Sequence, residues 1–156
     1  MELIPDDLAG VVDVVGPLTR DELDQACGEL AFKRGEDADA SAFESAIEAA
    51  LSGYQLLAVD DHAADASEPL LVVGPAAFPT FPDGVEDLPH ILDVPERELD
   101  RETTARAAEQ RFRADAAAAA GAGDEERIAE LLDVSYDLEA WGPVELGAAR
   151  DRLDDA

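Results

Sequence analysis

Cysteine and histidine are the side chains best suited to bind metals or act as nucleophiles, and this chain holds only three of them: Cys27, His62 and His90. A zinc site needs several such ligands at short, regular spacing, and these three are too far apart along the chain to supply it. His62 lies within an acidic segment, residues 60–65, which could hold a cation loosely, although a solvated acidic loop is the commoner outcome. We therefore expect no metal ion and no cofactor.

Catalytic side chains are not grouped into a recognisable motif anywhere in the chain. The sequence contains no nucleophile elbow, Walker loop or dinucleotide-binding fingerprint. His90, which follows Pro89, would need a pocket and a perturbed carboxylate beside it to act as a catalytic base. An enzyme with a site around His90 is therefore the weakest of three hypotheses, and we expect a non-catalytic protein.

Acidic residues dominate the composition. The chain has 38 Asp and Glu against 11 Lys and Arg, a net charge of -27 over 156 residues, and Lys33 is its only lysine. At low ionic strength this charge would repel itself, nucleic acid and anionic membrane surfaces. Exposed charges interact little at high salt, because the Debye length falls to about 3 Å at 1 M. We therefore expect the protein to require high salt for folding.

The composition resembles that of cytosolic proteins from salt-accumulating halophilic archaea. The chain as a whole is similar to small acidic haloarchaeal proteins of unknown function. The stretches that carry this resemblance are 30–33 (LAFK), 74–79 (GPAAFP), 87–95 (DLPHILDVP) and 131–141 (LLDVSYDLEAW). It implies a habitat and a family, and it brings no established activity with it.

Several features favour a soluble cytoplasmic protein. The first eight residues are acidic and lack the basic and apolar regions of a signal peptide. No apolar run approaches the roughly 18 residues that span a bilayer. Cys27 is a lone cysteine, so the chain cannot form an intramolecular disulfide, and we expect its thiol to be buried on a helix.

Helix signals dominate the first half of the chain. A short apolar run at 7–15 predicts one helix, and a capping box formed by Thr19 and Glu22 predicts a second over 20–34. Ser41 and Glu44 repeat that capping box and predict a third helix. Two short β-prone runs, 55–59 and 70–73, enclose a polar segment and predict a hairpin with a long tip.

The second half begins with a segment that cannot form a regular helix. Five prolines interrupt residues 75–95, which we name the proline-rich strap. Its apolar residues predict packing along the folded body, with partner binding as the alternative. A long helix is then predicted over 96–120, with Gly121 and Gly123 ending it, Asp124 capping the next helix, and a short last helix at 145–153.

The order helix, helix, helix, hairpin resembles the winged-helix family. Residues 18–23 (LTRDEL) would open the second helix, and the 55–73 hairpin would be the wing. We therefore expect a mainly α fold with a small β-hairpin (α+β), made of a winged-helix-like domain at 1–74, the strap at 75–95, and a helical region at 96–156. That last region would pack on the domain or on a second copy.

The winged-helix resemblance implies a third helix that enters the major groove with basic and polar side chains. The predicted third helix instead presents Glu44, Ser45 and Glu48, with no Lys or Arg. A DNA reader needs cations for phosphate and bidentate donors for guanine. We therefore expect this helix to contact protein, as a partner or in self-association, and nucleic acid to be disfavoured.

Phe78 and Phe81 in the strap join this predicted protein-binding set. The alternative hypothesis is a DNA-binding transcriptional regulator that uses Arg106 and Arg113 of the long helix. Residues 95–156 are the less acidic part, with 17 acids and 8 bases, so an anionic partner would bind best there. Pairs at i,i+4 with Glu102 and Glu109 nevertheless favour surface ion pairs for both arginines.

Overall fold

The computed structural model describes residues 3–60 and 68–155, and these form a mainly α-helical protein with one small antiparallel hairpin, as predicted. The elements are α1 Pro5–Val15, α2 Arg20–Lys33, α3 Ala40–Ser52, β1 Leu56–Val59, β2 Leu70–Val73, a 3-10 helix Val85–Asp87, α4 Leu88–Ile91, α5 Arg101–Ala122, α6 Glu125–Trp141 and α7 Gly147–Asp154. Contacts divide the chain into two units, Met1–Leu99 and Asp100–Ala156.

Helix α2 begins and ends on local signals. The Thr19 hydroxyl accepts from the Glu22 amide at 3.2 Å, and the Glu22 carboxylate accepts from the Thr19 amide at 2.8 Å, which confirms the predicted capping box. At the other end Gly35 takes a φ of 67°, a left-handed conformation that glycine adopts without steric cost. The Glu36 amide then donates back to the Ala31 carbonyl at 2.9 Å.

Helix α3 begins on a different cap from the one predicted. Asp39 is the N-cap, and its carboxylate accepts from the Ala42 amide at 3.1 Å. Ser41 therefore lies inside the first turn, and the Ser41 and Glu44 capping box was wrong. Asp39 and Ser41 are both good capping residues, so the sequence pattern fits two registers two residues apart.

The hairpin pairs β1 with β2 in the register Leu56 to Val73 and Val59 to Leu70. Leu18, between α1 and α2, adds a single bridge to β2: its amide donates to the Leu71 carbonyl at 3.2 Å, and the Leu71 amide donates to the Leu18 carbonyl at 2.7 Å. The hairpin is thereby tied to the start of α2. His62 and most of the acidic segment around it lie outside the described residues.

The core of the first unit lies between the three helices and the hairpin. Its fully buried side chains include Leu8, Leu23, Leu30, Ile47 and Leu56. Cys27 is also buried, and this burial, with the negative charge of Asp24, raises the pKa of its thiol to about 12. The thiol therefore acts as a small apolar side chain, as predicted.

The proline-rich strap lies in the first unit. Its later part forms the 3-10 helix and the single-turn α4, and these bury Val85, Leu88 and Leu92 in the core. Its earlier part has no regular secondary structure and contacts the first turns of α1. The two phenylalanines of that segment, Phe78 and Phe81, are exposed.

The second unit consists of α5, α6 and α7. Helix α5 begins at Arg101, five residues later than predicted, because Asp100 caps it by accepting from the Thr103 amide at 2.7 Å. It also continues through Gly121 to Ala122, and Gly123 ends it. Asp124 caps α6 as predicted, accepting from the Arg127 amide at 3.1 Å. Phe112, Leu131 and other apolar side chains of the three helices form the core.

Candidate interaction surfaces

The outward face of α3 carries three of the predicted partner-binding residues. One side of the helix buries Phe43, Ile47 and Ala50. The exposed residues on the other side are Ala40, Ser41, Ala42, Glu44, Ser45, Glu48, Ala49 and Ser52. This face is therefore made of small and acidic side chains, and α3 contributes no positive charge to it.

Arg20, at the start of α2, is the cation that reaches α3. Its Nη2 lies 3.0 Å from Glu44 Oε1 and 2.5 Å from Glu48 Oε1. Glu44 and Glu48 are one helical turn apart, so a single guanidinium bridges both carboxylates. Both glutamates remain more than 60% exposed, so the surface stays accessible to a partner. Because Arg20 already forms ion pairs with two carboxylates, it is less available to bind a phosphate.

The other three cations of the first unit are also paired with carboxylates. Lys33 Nζ lies 2.5 Å from Asp87 Oδ2, and its hydrogen bond and charge hold the pKa of Asp87 below the usual value. Arg34 lies 3.8 Å from Glu36, a loose exposed contact. The first unit has 23 acidic and 4 basic residues, a net charge of -19, so its uncompensated charge is entirely negative.

The fourth cation, Arg97, makes the most buried ion pair of this unit. Its Nη1 donates to Glu22 Oε1 at 2.5 Å and to the Pro17 carbonyl at 3.3 Å, and its Nη2 donates to Glu22 Oε2 at 3.2 Å. Burial alone would raise the pKa of Glu22, but hydrogen bonds from Arg97 and the Thr19 amide outweigh it and lower that pKa. The pair joins the residues after the strap to the α2 capping box.

The two strap phenylalanines are held on α1 by a set of hydrogen bonds. The Phe78 amide donates to Asp6 Oδ1 at 3.1 Å, and the Thr80 amide donates to the Asp6 carbonyl at 3.0 Å. The Thr80 hydroxyl donates to Asp7 Oδ1 at 2.6 Å, while Asp7 Oδ2 accepts from the Ile4 amide at the start of the helix. Asp7 therefore organises both the helix start and the strap.

Sequence reasoning missed these anchors, since a carboxylate early in a helix reads as an ordinary first-turn residue. One signal could have pointed to them. Gly10 lies inside α1, where glycine costs stability relative to alanine. A Cβ at this position would lie only 1.8 Å from the Thr80 carbonyl oxygen, so Gly10 is what lets the strap approach the helix.

The predicted DNA-contacting arginines lie on α5 in the second unit, and each is paired along its own helix. Arg106 Nη2 lies 2.5 Å from Glu102 Oε1, and Arg113 Nη2 lies 2.6 Å from Glu109 Oε1. The Arg106 and Arg113 side chains are 70% and 59% exposed. Both therefore form the i,i+4 surface ion pairs that their spacing indicated.

The second unit also has an open cleft of about 910 Å³ between α5, α7 and the connection from α6. Its lining residues are Glu109, Arg113, Glu139, Gly142, Pro143, Val144, Glu145, Gly147 and Ala148. Arg113 pairs with Glu109, and Glu139 pairs with Arg150 Nη1 at 2.6 Å. The lining residues include no histidine, cysteine or serine, and two of its three carboxylates, Glu109 and Glu139, are paired with arginines.

His90, at the centre of the enzyme hypothesis, is exposed on α4. Over residues 3–60 and 68–155, no group of three His, Cys, Asp or Glu side chains is arranged to hold a metal ion. In the same ranges no helix combines the length and apolar character needed to cross a bilayer.

Comparison with known proteins places the chain in a family. The model of a family described as a family of unknown function (DUF7109) matches residues 6–156. No curated protein and no solved structure matches the chain. The match covers both units, so it extends over the α3 face, the strap and the arginines of α5.

Proposed function

Since this chain belongs to that family of unknown function, we propose its role from its surfaces: a non-catalytic, winged-helix-like module for protein interaction or regulation. A fold alone does not determine activity, so the role depends on the residues at these surfaces. The observation that carries the proposal is the acidic outward face of α3, where Glu44 and Glu48 hold Arg20 between them.

The order of elements supports the winged-helix-like part of the proposal. Three helices precede a hairpin, and α3 contacts both α1 and α2. The Leu18 bridge to β2 ties the hairpin beside the start of α2, a position that is compatible with the wing of a winged helix. In this arrangement α3 is the helix that would face a ligand.

The charge of that face supports a protein partner. DNA binding depends on neutralising phosphates with Lys and Arg. A DNA backbone placed against α3 would lie beside two carboxylates and an arginine that already forms ion pairs with both of them. A protein surface has no such requirement, and polar or basic side chains of a partner can pair with Glu44 and Glu48 and pack on the small residues beside them.

Composition supports a high-salt cytoplasm as the setting of this module. Acidic residues outnumber basic ones by more than three to one, and all but one of the basic residues are arginine. We therefore assign the protein to a halophilic archaeon. At such salt concentrations, screening leaves packing and short-range hydrogen bonds as the main sources of partner affinity.

Photo-crosslinking at α3 tests the proposal. Ser45 is exposed between the two glutamates, and benzoylphenylalanine placed there reports what lies against this face. In native high-salt lysate we expect a discrete protein adduct that survives nuclease treatment. Benzoylphenylalanine at Asp133, an exposed α6 position, is the matched control and should not give that adduct. A nuclease-sensitive DNA adduct at Ser45 would overturn the proposal.

The alternative is a DNA-binding regulator, favoured by the exposure of Arg106 and Arg113. Anisotropy of a labelled pool of random duplexes measures it directly. The alternative expects binding by the native chain that the double change Arg106→Ala and Arg113→Ala abolishes, because phosphate contacts carry most of the affinity. The interaction module instead predicts no duplex binding by either chain.

A further inference from the structure

We propose that Phe78 and Phe81 form the docking site for a cationic, apolar segment of a partner protein. This inference rests on the proposed interaction function and names the chemistry of the partner. It concerns the strap surface, which is separate in sequence from the α3 face.

Exposure of the two rings is the first observation. The chain has only eight aromatic residues, and four of them are largely exposed: Phe32, Phe78, Phe81 and Tyr136. Phe78 is 80% exposed and Phe81 is 57% exposed, although burial of a phenylalanine side chain is strongly favourable. We name these two exposed phenylalanines, three residues apart in one segment, the patch, and association with a partner would remove their apolar surface from water.

The second observation is that the patch is preorganised. Three hydrogen bonds from Phe78 and Thr80 to Asp6 and Asp7 hold the strap backbone against the first turn of α1. Pro79 and Pro82 restrict the backbone further. Binding a ligand therefore costs little ordering of the strap, which raises the affinity that two rings can provide.

Helix α1 contacts the strap at both phenylalanines. The Phe78 amide is anchored at Asp6, and Phe81 Cδ1 lies 3.5 Å from the place a Cβ on Gly10 would take. Asp6 and Gly10 are four residues apart, so both anchors lie on one face of the helix, one turn from each other. The Phe78 backbone and the Phe81 ring therefore both contact the same side of α1.

The negative charge around the strap indicates which kind of partner segment binds there. The strap belongs to a unit with a net charge of -19 whose four cations are all paired with carboxylates. Asp83 and Glu86 follow Phe81 and are exposed. An approaching segment that carries Lys or Arg can pair with these carboxylates at contact distance, where salt screens least, and can place a guanidinium over a ring face. A second copy of the chain would bring the same negative surface and is disfavoured.

A peptide-binding experiment with the full chain tests this proposal. The probe is a short fluorescein-labelled synthetic peptide in which Arg and Lys alternate with Leu and Phe, and the control probe has Glu in place of each basic residue. Anisotropy is measured at a salt concentration where circular dichroism shows native helicity. We expect the basic peptide to bind and the acidic peptide not to bind.

Substitutions then locate the site. The double change Phe78→Ala and Phe81→Ala should weaken binding of the basic peptide roughly tenfold or more, as loss of aromatic anchors does. Phe32→Ala is the matched control, because Phe32 is equally exposed but lies on α2. It should leave the affinity unchanged. All three positions are exposed, so circular dichroism should be native for both variants.

Four results would overturn the inference. They are no binding of the basic peptide, equal binding of the acidic peptide, unchanged affinity in the Phe78 and Phe81 double variant, or an equal loss in Phe32→Ala. Self-association that the double variant removes, seen by sedimentation, would assign the patch to a second copy instead. A DNA adduct at Ser45 would refute the proposed function. The peptide experiment tests only the strap, so its failure would refute this inference and leave the result at α3 unaffected.

Discussion

Ion pairs in this protein differ widely in burial, and the difference predicts which of them stabilise the fold. The side chains of Arg97 and Glu22 are only 9% and 18% exposed, whereas those of Arg106 and Glu102 are 70% and 68% exposed. Exposed pairs contribute little, because water and salt screen them. A buried pair is costly to break, because the remaining charge is left without its partner.

Glu22→Gln is therefore expected to lower the free energy of unfolding by roughly 3 kcal/mol in urea denaturation at neutral pH. Glutamine keeps the shape and can still accept from the Thr19 amide, so the change isolates the pair with Arg97. Glu102→Gln removes the same charge from the exposed pair and should have little effect. Equal losses in the two variants would contradict the assigned role of burial.

The same pair gives a pH dependence with a defined sign. Folding lowers the pKa of Glu22 from its ordinary value of 4.5, so its ionised form stabilises the folded state. This contribution is complete above that ordinary value and is lost as the pH falls through the lower folded value. The stability difference between the native chain and Glu22→Gln should shrink over the same pH range.

At the scale of elements, the contact between α1 and the strap depends on Gly10 having no side chain. The Thr80 carbonyl approaches Gly10 so closely that a Cβ there would lie 1.8 Å from its oxygen. The neighbouring atom is backbone, which cannot rotate out of the way. Gly10 and the hydrogen bonds of the strap to Asp6 and Asp7 therefore both position the two phenylalanines.

Gly10→Ala is expected to displace the strap and to lower the free energy of unfolding by roughly 1 to 3 kcal/mol, the usual cost of overpacking. Hydrogen exchange should rise at the Phe78 and Thr80 amides. Gly28→Ala is the matched control, because nothing lies within 4 Å of its Cβ position on α2. There alanine should stabilise the helix by about 0.5 to 1 kcal/mol. Stabilisation by both changes would refute the close approach.

For the whole molecule, the dominant quantity is the net charge of -27. Only 11 basic residues are present to offset 38 acidic ones, so most carboxylates have no cation of their own. Their mutual repulsion opposes the compact state at low ionic strength. Added salt screens that repulsion, with a Debye length near 10 Å at 0.1 M and about 3 Å at 1 M.

Thermal unfolding followed by circular dichroism should therefore show a melting temperature that rises steeply with potassium chloride, and loss of helicity at low ionic strength. Sucrose at matched osmolarity is the control, because it favours compact states without screening charge. A spectrum and melting temperature independent of salt would contradict this expectation.

Local signals in the sequence predicted the elements well. The Thr19 and Glu22 capping box, the cap at Asp124 and the two strands depend on residues a few positions apart, so the helical fold with its hairpin could be predicted. The errors concern helix starts, where two nearby positions could each begin the same helix. Asp39 rather than Ser41 caps α3, and Asp100 caps α5, so that this helix begins at Arg101 and not at the predicted residue 96.

The amino-acid sequence by itself determined the charge, the element order and the acidic, lysine-free character of α3. Only the tertiary structure decided how its few cations are used and where the exposed rings lie. Arg20 meets Glu44 and Glu48, Arg97 meets Glu22 across 75 residues, and Thr80 meets Asp7 across 73. Such contacts depend on the packing of several elements at once, and each carboxylate in so acidic a chain has many possible partners until the fold selects one.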